Sequence, residues 1–187
     1  MTSMTATSAN GVDVDTLFAT LDLVKGMPAA AQFQFRANNT WVSGTHSRTT
    51  ISGYFGAGEE REHTASHLFS TDHPEVLVGS DAGPTPIEYL LIGLAGCITA
   101  GIGNIASARG VVLESVESRL EGDIDLNGVL GFGGSRNGYQ RIRMVVTIAG
   151  DADEATLRGL VAQSKARSAV FDVLTNGVPV DIDVEVA

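Results

Sequence analysis

Read as apolar and polar positions, the chain opens on a polar leader, residues 1–12, with no periodicity. Val14, Leu17, Phe18, Leu21 and Leu23 then recur near helical spacing until Gly26, with Pro28 just beyond, stops them. This predicts a first helix inside an N-terminal extension, residues 13–32. From residue 31 the period changes. Phe33 and Phe35 alternate with Gln32, Gln34 and Arg36, a strand pattern running to Val42. After the turn Ser43-Gly44-Thr45-His46 a second strand covers residues 47–55, so an antiparallel hairpin is expected. Residues 56–84 are polar and glycine-rich, with one short strand predicted at Ser66–Ser70.

The least polar stretch follows. Residues 90–103, LLIGLAGCITAGIG, carry no charge and hold Gly93, Gly96, Gly101 and Gly103. Thr85 serves as N-cap and Pro86 as first helical residue, predicting a helix to about Ala108 that Gly110 ends. Alternation returns over residues 111–126 through Val116, Ser118 and Leu120, then Ile124 and Leu126. It returns again over 139–150, where Ile142, Met144, Val146 and Ile148 share a face, with residues 129–138 as the hairpin loop. Residues 151–168 begin with acids that suit a helix N-terminus and keep Leu157, Leu160, Val161 and Ser164 on one side. They predict a second long helix. A closing strand is expected at residues 178–186, where Val180, Ile182, Val184 and Val186 alternate with Asp and Glu.

No repeat or linker divides the chain. The order is that of an α+β protein, antiparallel sheets wrapped around one or two long helices. The apolar helix has no polar face and must be enclosed on all sides. A chain of 187 residues is short for that task, so a homodimer is expected.

Charge narrows the partners. Asp and Glu number 22 against 12 Lys and Arg, a net charge of −10 with no dense basic stretch. Nucleic acid and anionic membrane are therefore not expected partners. A small or apolar ligand is. Only Tyr89–Gly103 lacks charge and amide, short of the roughly 20 residues that span a bilayer, so a buried core helix is the expectation. The N-terminus lacks the basic and apolar regions of a signal peptide, and a cytoplasmic protein is expected.

The single cysteine, Cys97, excludes an internal disulfide. Successive helix positions turn by about 100°, so Gly93, Cys97 and Gly101 lie on one stripe. Either another helix approaches closely there, or space is left for a ligand at the thiol. Cys97 sits about three turns inside its helix, where the dipole of that helix gives a thiolate little help. Reactivity would then need an arginine, and Arg36 and Arg48 on the first strands are the candidates. His63 and His67 are four apart, a zinc spacing on a helix but not in strand or loop sequence, and His46 and His73 bring no cysteine to complete a set. No metal and no cofactor is expected. Neither a phosphate-binding glycine loop nor a GxSxG nucleophile elbow is present.

The stretches GPTPIEYLLIGLAGC and SAVFDVLTNGVPVDIDV resemble the OsmC/Ohr family of osmotically inducible and organic-hydroperoxide-resistance proteins, over residues 33–187. The resemblance implies an intertwined homodimer whose sheets enclose two long central helices. It further implies a two-cysteine peroxidase. Its first cysteine, matched by Cys97, attacks an organic hydroperoxide and becomes a sulfenic acid. An arginine from the N-terminal strands, Arg48 or Arg36, lowers the thiol pKa, and a glutamate early in the cysteine helix holds that arginine. Two departures are visible. The second cysteine is replaced by Ser168, which cannot resolve a sulfenic acid. Ile87 follows Pro86 where the family has its glutamate, and Glu88 comes one residue later. Nine residues before Cys97, Glu88 lies about 180° around the helix from it, where it also serves as a first-turn acid.

Three activities are consistent with these residues. A one-cysteine thiol peroxidase would use Cys97, Arg48 or Arg36 and Glu88, with an external thiol as reductant. A non-catalytic protein would bind a small hydrophobic ligand or sense redox state, with Gly93, Gly101 and Ser168 beside Cys97 lining the pocket. A hydrolase or transferase would pair Cys97 with a histidine such as His46.

Overall fold

A computed structural model describes residues 9–186 of the chain. The described residues form two compact units, 13–90 in one and 9–12 with 91–186 in the other.

The first unit starts with α1 (Val14–Gly26), the helix predicted from its apolar spacing. Asp13 caps it, its carboxylate accepting from the Thr16 N–H at 3.0 Å, and Lys25 occupies the last turn. The expected first strand is present in two pieces, β1 (Gln34–Phe35) and β2 (Asn38–Ser43). Both pair antiparallel with β3 (His46–Gly56), Gln34 opposite Phe55 and Asn38 opposite Thr50.

The third partner corrects the sequence reading. In place of a short strand at Ser66–Ser70, β4 runs over Glu59–Thr71 and pairs along β3 from Gly56↔Glu59 to Ser47↔Thr71. Its first half is polar on both faces and so lacks the alternation that marks a half-buried strand. Turn chemistry decides instead. Ala57 and Gly58 have φ of +54° and +88°, the pair of positive values a two-residue hairpin of right-handed twist requires. The ladder skips between Ile51↔His67 and Gly53↔Glu62, so residues 63–66 of β4 stand against Ser52 alone in a bulge, across which the His63 and His67 rings lie 5.2 Å apart.

Asp72 ends this sheet. It is 1% exposed, and its carboxylate accepts five hydrogen bonds: Thr45 Oγ1 (2.6 Å), His73 N (2.8 Å), Ser80 N (3.1 Å), Ser80 Oγ (2.6 Å) and Ala82 N (3.1 Å). These contacts fold the 72–82 segment back on itself. They also hold the carboxyl far below its ordinary range, with the Ser80 hydroxyl the largest contributor and Thr45 next.

The long helix α2 (Glu88–Arg109) has residues 88–90 in the first unit and the rest in the second. Leu94, Ile98, Ile102 and Ala106 recur every fourth residue and are its buried stripe. Leu113, Val116 and Leu120 of β5 (Leu113–Asp123) pack on that stripe with Ile142, Met144, Val146 and Ile148 of β6 (Arg141–Gly150). The two strands form an antiparallel ladder from Leu113↔Gly150 to Asp123↔Arg141, as alternation predicts. Their connection corrects the sequence reading: β5 ends at Asp123, and Leu126, expected in the strand, begins one helical turn, α3 (Leu126–Val129), ahead of the loop. Asn10 is stitched to the α2–β5 junction. Its amide donates to Val111 O (2.8 Å) and Ser107 Oγ (3.2 Å) and accepts from Leu113 N (2.8 Å).

The second long helix predicted over residues 151–168 is present as α4 (Glu154–Ala166), and a further helix that the sequence reading did not anticipate, α5 (Ala169–Asn176), follows it with Ser168 as its cap. The closing strand is not formed, a second correction: residues 177–186 lie in extended chain without ladder partners among the described residues. Alternation supplies the two faces of a strand but not the neighbouring edge that makes it one. Val180, Ile182, Val184 and Val186 accordingly stay 74–93% exposed.

By length and composition α2 is the one described helix apolar enough to cross a membrane, although only Tyr89–Gly103 is free of charge and amide. Its Leu94–Ala106 stripe is occupied by the protein core.

Candidate active site

Cys97 sits at mid-length on α2, partly exposed. Donors of the second unit act on its sulfur. The Ser168 hydroxyl donates to Sγ at 3.0 Å, and the backbone N–H groups of Val170 and Ala169 also favour the thiolate. Both N–H groups belong to the first turn of α5, where backbone donors have no partner within the helix. The positive end of the α5 dipole thus meets the sulfur.

Electrostatics at this atom is a contest. Burial works against the thiolate, while the Ser168 hydroxyl and then the Val170 and Ala169 N–H groups favour it. The donors win, and the thiol is held below its ordinary value. The dipole that matters is therefore not that of the helix carrying the cysteine. It belongs to α5, which packs across it and whose start lies 71 residues away in sequence.

The α5 cap explains why the chain turns here. Ser168 takes extended backbone angles, and its Oγ accepts from Phe171 N at 3.1 Å, the bond that starts the helix. Ser followed three residues later by the first-turn backbone is a cap signal readable in SAVFD. Only the tertiary fold aims it at Cys97.

The stripe Gly93–Cys97–Gly101 has a clear explanation. A Cβ at Gly101 would lie 2.3 Å from Ser164 Oγ, whose hydroxyl donates to Ile98 O at 2.7 Å, and one at Gly93 would touch Val170 at 3.8 Å. Close helix approach is realised at Gly101, which lets α4 come near α2, whereas Gly93 faces Val170 at ordinary contact distance.

Other predicted residues take separate places. Arg36 is held by Glu60 through a two-pronged ion pair, with N–O distances of 2.7 and 2.8 Å, and also donates to Gln34. Arg48 lies exposed on β3 between Thr40 and Ser70. Glu88 accepts from Thr85 N (2.7 Å) and Thr85 Oγ1 (2.8 Å), so its carboxylate ties down the residue that precedes α2. The His63 ring stands between Tyr54 and His67 in a chain of ring contacts from Phe33 to Tyr89. His46 carries a buried Nε2 without a hydrogen-bond partner.

Sequence reasoning missed the α5 N–H groups and the Asp72 node. The first had a weak signal in the Ser168 cap. The second had none, because its donors are mostly backbone.

A groove of about 590 Å³ of mixed lining lies elsewhere in the second unit, between β6 and α4. Met144, Val146 and Ile148 form one wall, and Leu157 and Val161 with the charged Glu154 and Arg158 the other.

The model of the OsmC-like protein family matches residues 79–183, which include Cys97 and Ser168. Solved structures agree on the fold. An OsmC-like protein from Mycoplasma pneumoniae aligns over 76% of this chain and 88% of its own, at 15% identity and a TM-score of 0.58. A putative osmotic stress induced and detoxification response protein from Psychrobacter arcticus aligns over 75% and 88%, at 12% identity and a TM-score of 0.57. An organic hydroperoxide resistance protein OsmC from Legionella pneumophila covers 76% and 91%, at 13% identity and a TM-score of 0.50. No curated protein matches the sequence. With the family match spanning more than half of the chain, and the α+β arrangement of helices and antiparallel sheets shared with these structures, the chain belongs to the OsmC-like protein family.

Proposed function

We propose that this protein is a thiol-dependent peroxidase that reduces organic hydroperoxides through Cys97 alone, a cytoplasmic defence against oxidants. The observation that carries this reading is the sulfur of Cys97 at the N-terminus of α5, with Ser168, Ala169 and Val170 favouring its charged form. The thiolate is the nucleophilic form of cysteine. It attacks the terminal oxygen of R–OOH and the O–O bond breaks. The alkoxide leaves and takes a proton to become the alcohol, and Cys97 becomes a sulfenic acid. Ser168 cannot form a disulfide, so an external thiol attacks the sulfenic sulfur and releases water. A second external thiol then frees Cys97 and leaves as the disulfide.

A homodimer is part of the proposal. Ile92, Gly96, Thr99 and Ala100 are exposed on α2 although the helix is apolar throughout, a face that a second copy would cover.

Consumption of cumene hydroperoxide with excess dithiothreitol tests the reading. We expect turnover in the wild type, none in Cys97→Ser, and a sulfenic acid trapped when the dithiol is withheld. An untouched Cys97 thiol after hydroperoxide treatment overturns it. The binding alternative draws support from the β6–α4 groove, whose volume suits a small apolar molecule. Saturable uptake of a hydrophobic dye, lost on Val161→Asp, is its signature.

A further inference from the structure

Ser168 occupies the place where the resemblance puts a second cysteine, and its hydroxyl is engaged twice. It accepts from Phe171 N at 3.1 Å and stands 3.0 Å from Sγ of Cys97. A serine hydroxyl has one proton and two lone pairs. An amide N–H can only donate, so the cap of α5 consumes a lone pair and leaves the proton for the sulfur. The residue is 5% exposed, so water is kept from competing for that proton. Pinned by the cap, the hydroxyl is oriented before any charge develops. Gly101 and Ser164 fix α4 against α2 one turn away, which keeps the distance short.

We propose that Ser168 is a positioning residue that holds Cys97 in its reactive form, its O–H aimed at the sulfur by the helix cap it makes at the same time. The residue thus replaces a covalent partner that acts after oxidation with a hydrogen-bond donor that acts before it. The proposal rests on the peroxidase reading for its purpose, but its test needs no peroxide.

The test is the pH profile of Cys97 in the full chain, read by thiolate absorbance near 240 nm and by the rate of iodoacetamide alkylation. Ser168→Ala should move the midpoint upward and slow alkylation at pH 7 about tenfold, the effect of one pKa unit on the thiolate fraction. Rates above both midpoints should converge. Ser168→Gly preserves the helix start, since glycine is itself a tolerated cap, and should show the same upward move. Ser168→Thr keeps the hydroxyl and should restore the wild-type midpoint. An unchanged midpoint in Ser168→Gly, or a threonine variant that titrates like the alanine one, overturns the assignment. A merely structural Ser168 would lower the melting temperature and leave the midpoint in place. If the midpoint moves as expected while cumene hydroperoxide is left untouched, the peroxidase reading fails and the Ser168 assignment stands.

Discussion

Asp72 and Cys97 each hold an anion with neutral donors, and they have opposite outcomes. The Asp72 carboxylate receives five hydrogen bonds from hydroxyls and backbone N–H groups and is closed to water. The Cys97 sulfur receives one hydroxyl and two N–H groups and stays partly exposed. The same kinds of donor serve both. A saturated, sealed anion is a structural node, because any reaction there would strand its donors. An anion stabilised from one side and open on the other is a nucleophile in waiting. The count of donors and the open face separate the two roles, and the presence of charge does not.

This contrast can be broken by mutation. The largest effect should fall on activity. Cys97→Ser is expected to remove all dithiol-dependent hydroperoxide consumption while leaving the melting temperature near wild type. Next comes stability. Asp72→Asn puts an NH2 group against donors that now meet an oxygen, and should give the largest fall in melting temperature among the variants named here, with Cys97 alkylation at pH 7 retained once the protein is folded. Of middle size is Gly101→Ala, whose new methyl would meet Ser164. We expect a loss of about 1–3 kcal/mol in urea unfolding, the usual range for overpacking, together with slower alkylation as Ser168 is pushed from the sulfur.

The pH dependence sharpens the same comparison. Asp72 has a folded value below the unfolded one of about 3.9, so its contribution is whole at neutral pH and drains away as acid titrates it. Acid unfolding should therefore flatten in Asp72→Asn. Cys97 also has a depressed folded value, so alkylation should reach half its maximum at a lower pH than in the unfolded chain and fall as the pH drops through the folded value. The smallest effect belongs to Glu88→Ala, which frees the Thr85 N–H and hydroxyl and should cost about 0.5–1 kcal/mol in the same urea assay.

Helices with one apolar period and strands with one apolar face were legible in the sequence, as α1, α2, β5 and β6 show. β4 was half hidden because Glu59–Glu62 are polar on both faces, and its pairing came from the Ala57–Gly58 turn and the β3 edge. The strand at residues 178–186 failed for the opposite reason: its pattern is complete but a ladder needs a second chain segment. Cys97 was legible from its place after GPTPIE, by resemblance. Its donors were not. Helical geometry placed the cysteine too far from the dipole of its own helix, which holds, yet gave no hint that α5 would deliver another. Tertiary contacts between residues 97 and 168 carry no local signal.

The unpaired tail has a consequence for solubility. An exposed segment with alternating Val180, Ile182, Val184 and Val186 is the kind of sequence that stacks into fibrils. Its other face is Asp181, Asp183 and Glu185, three negative charges in register. Two such tails aligned side by side would set acid against acid at every second residue, which opposes stacking. The alternation that prepares this segment to join a sheet therefore also guards it from joining copies of itself.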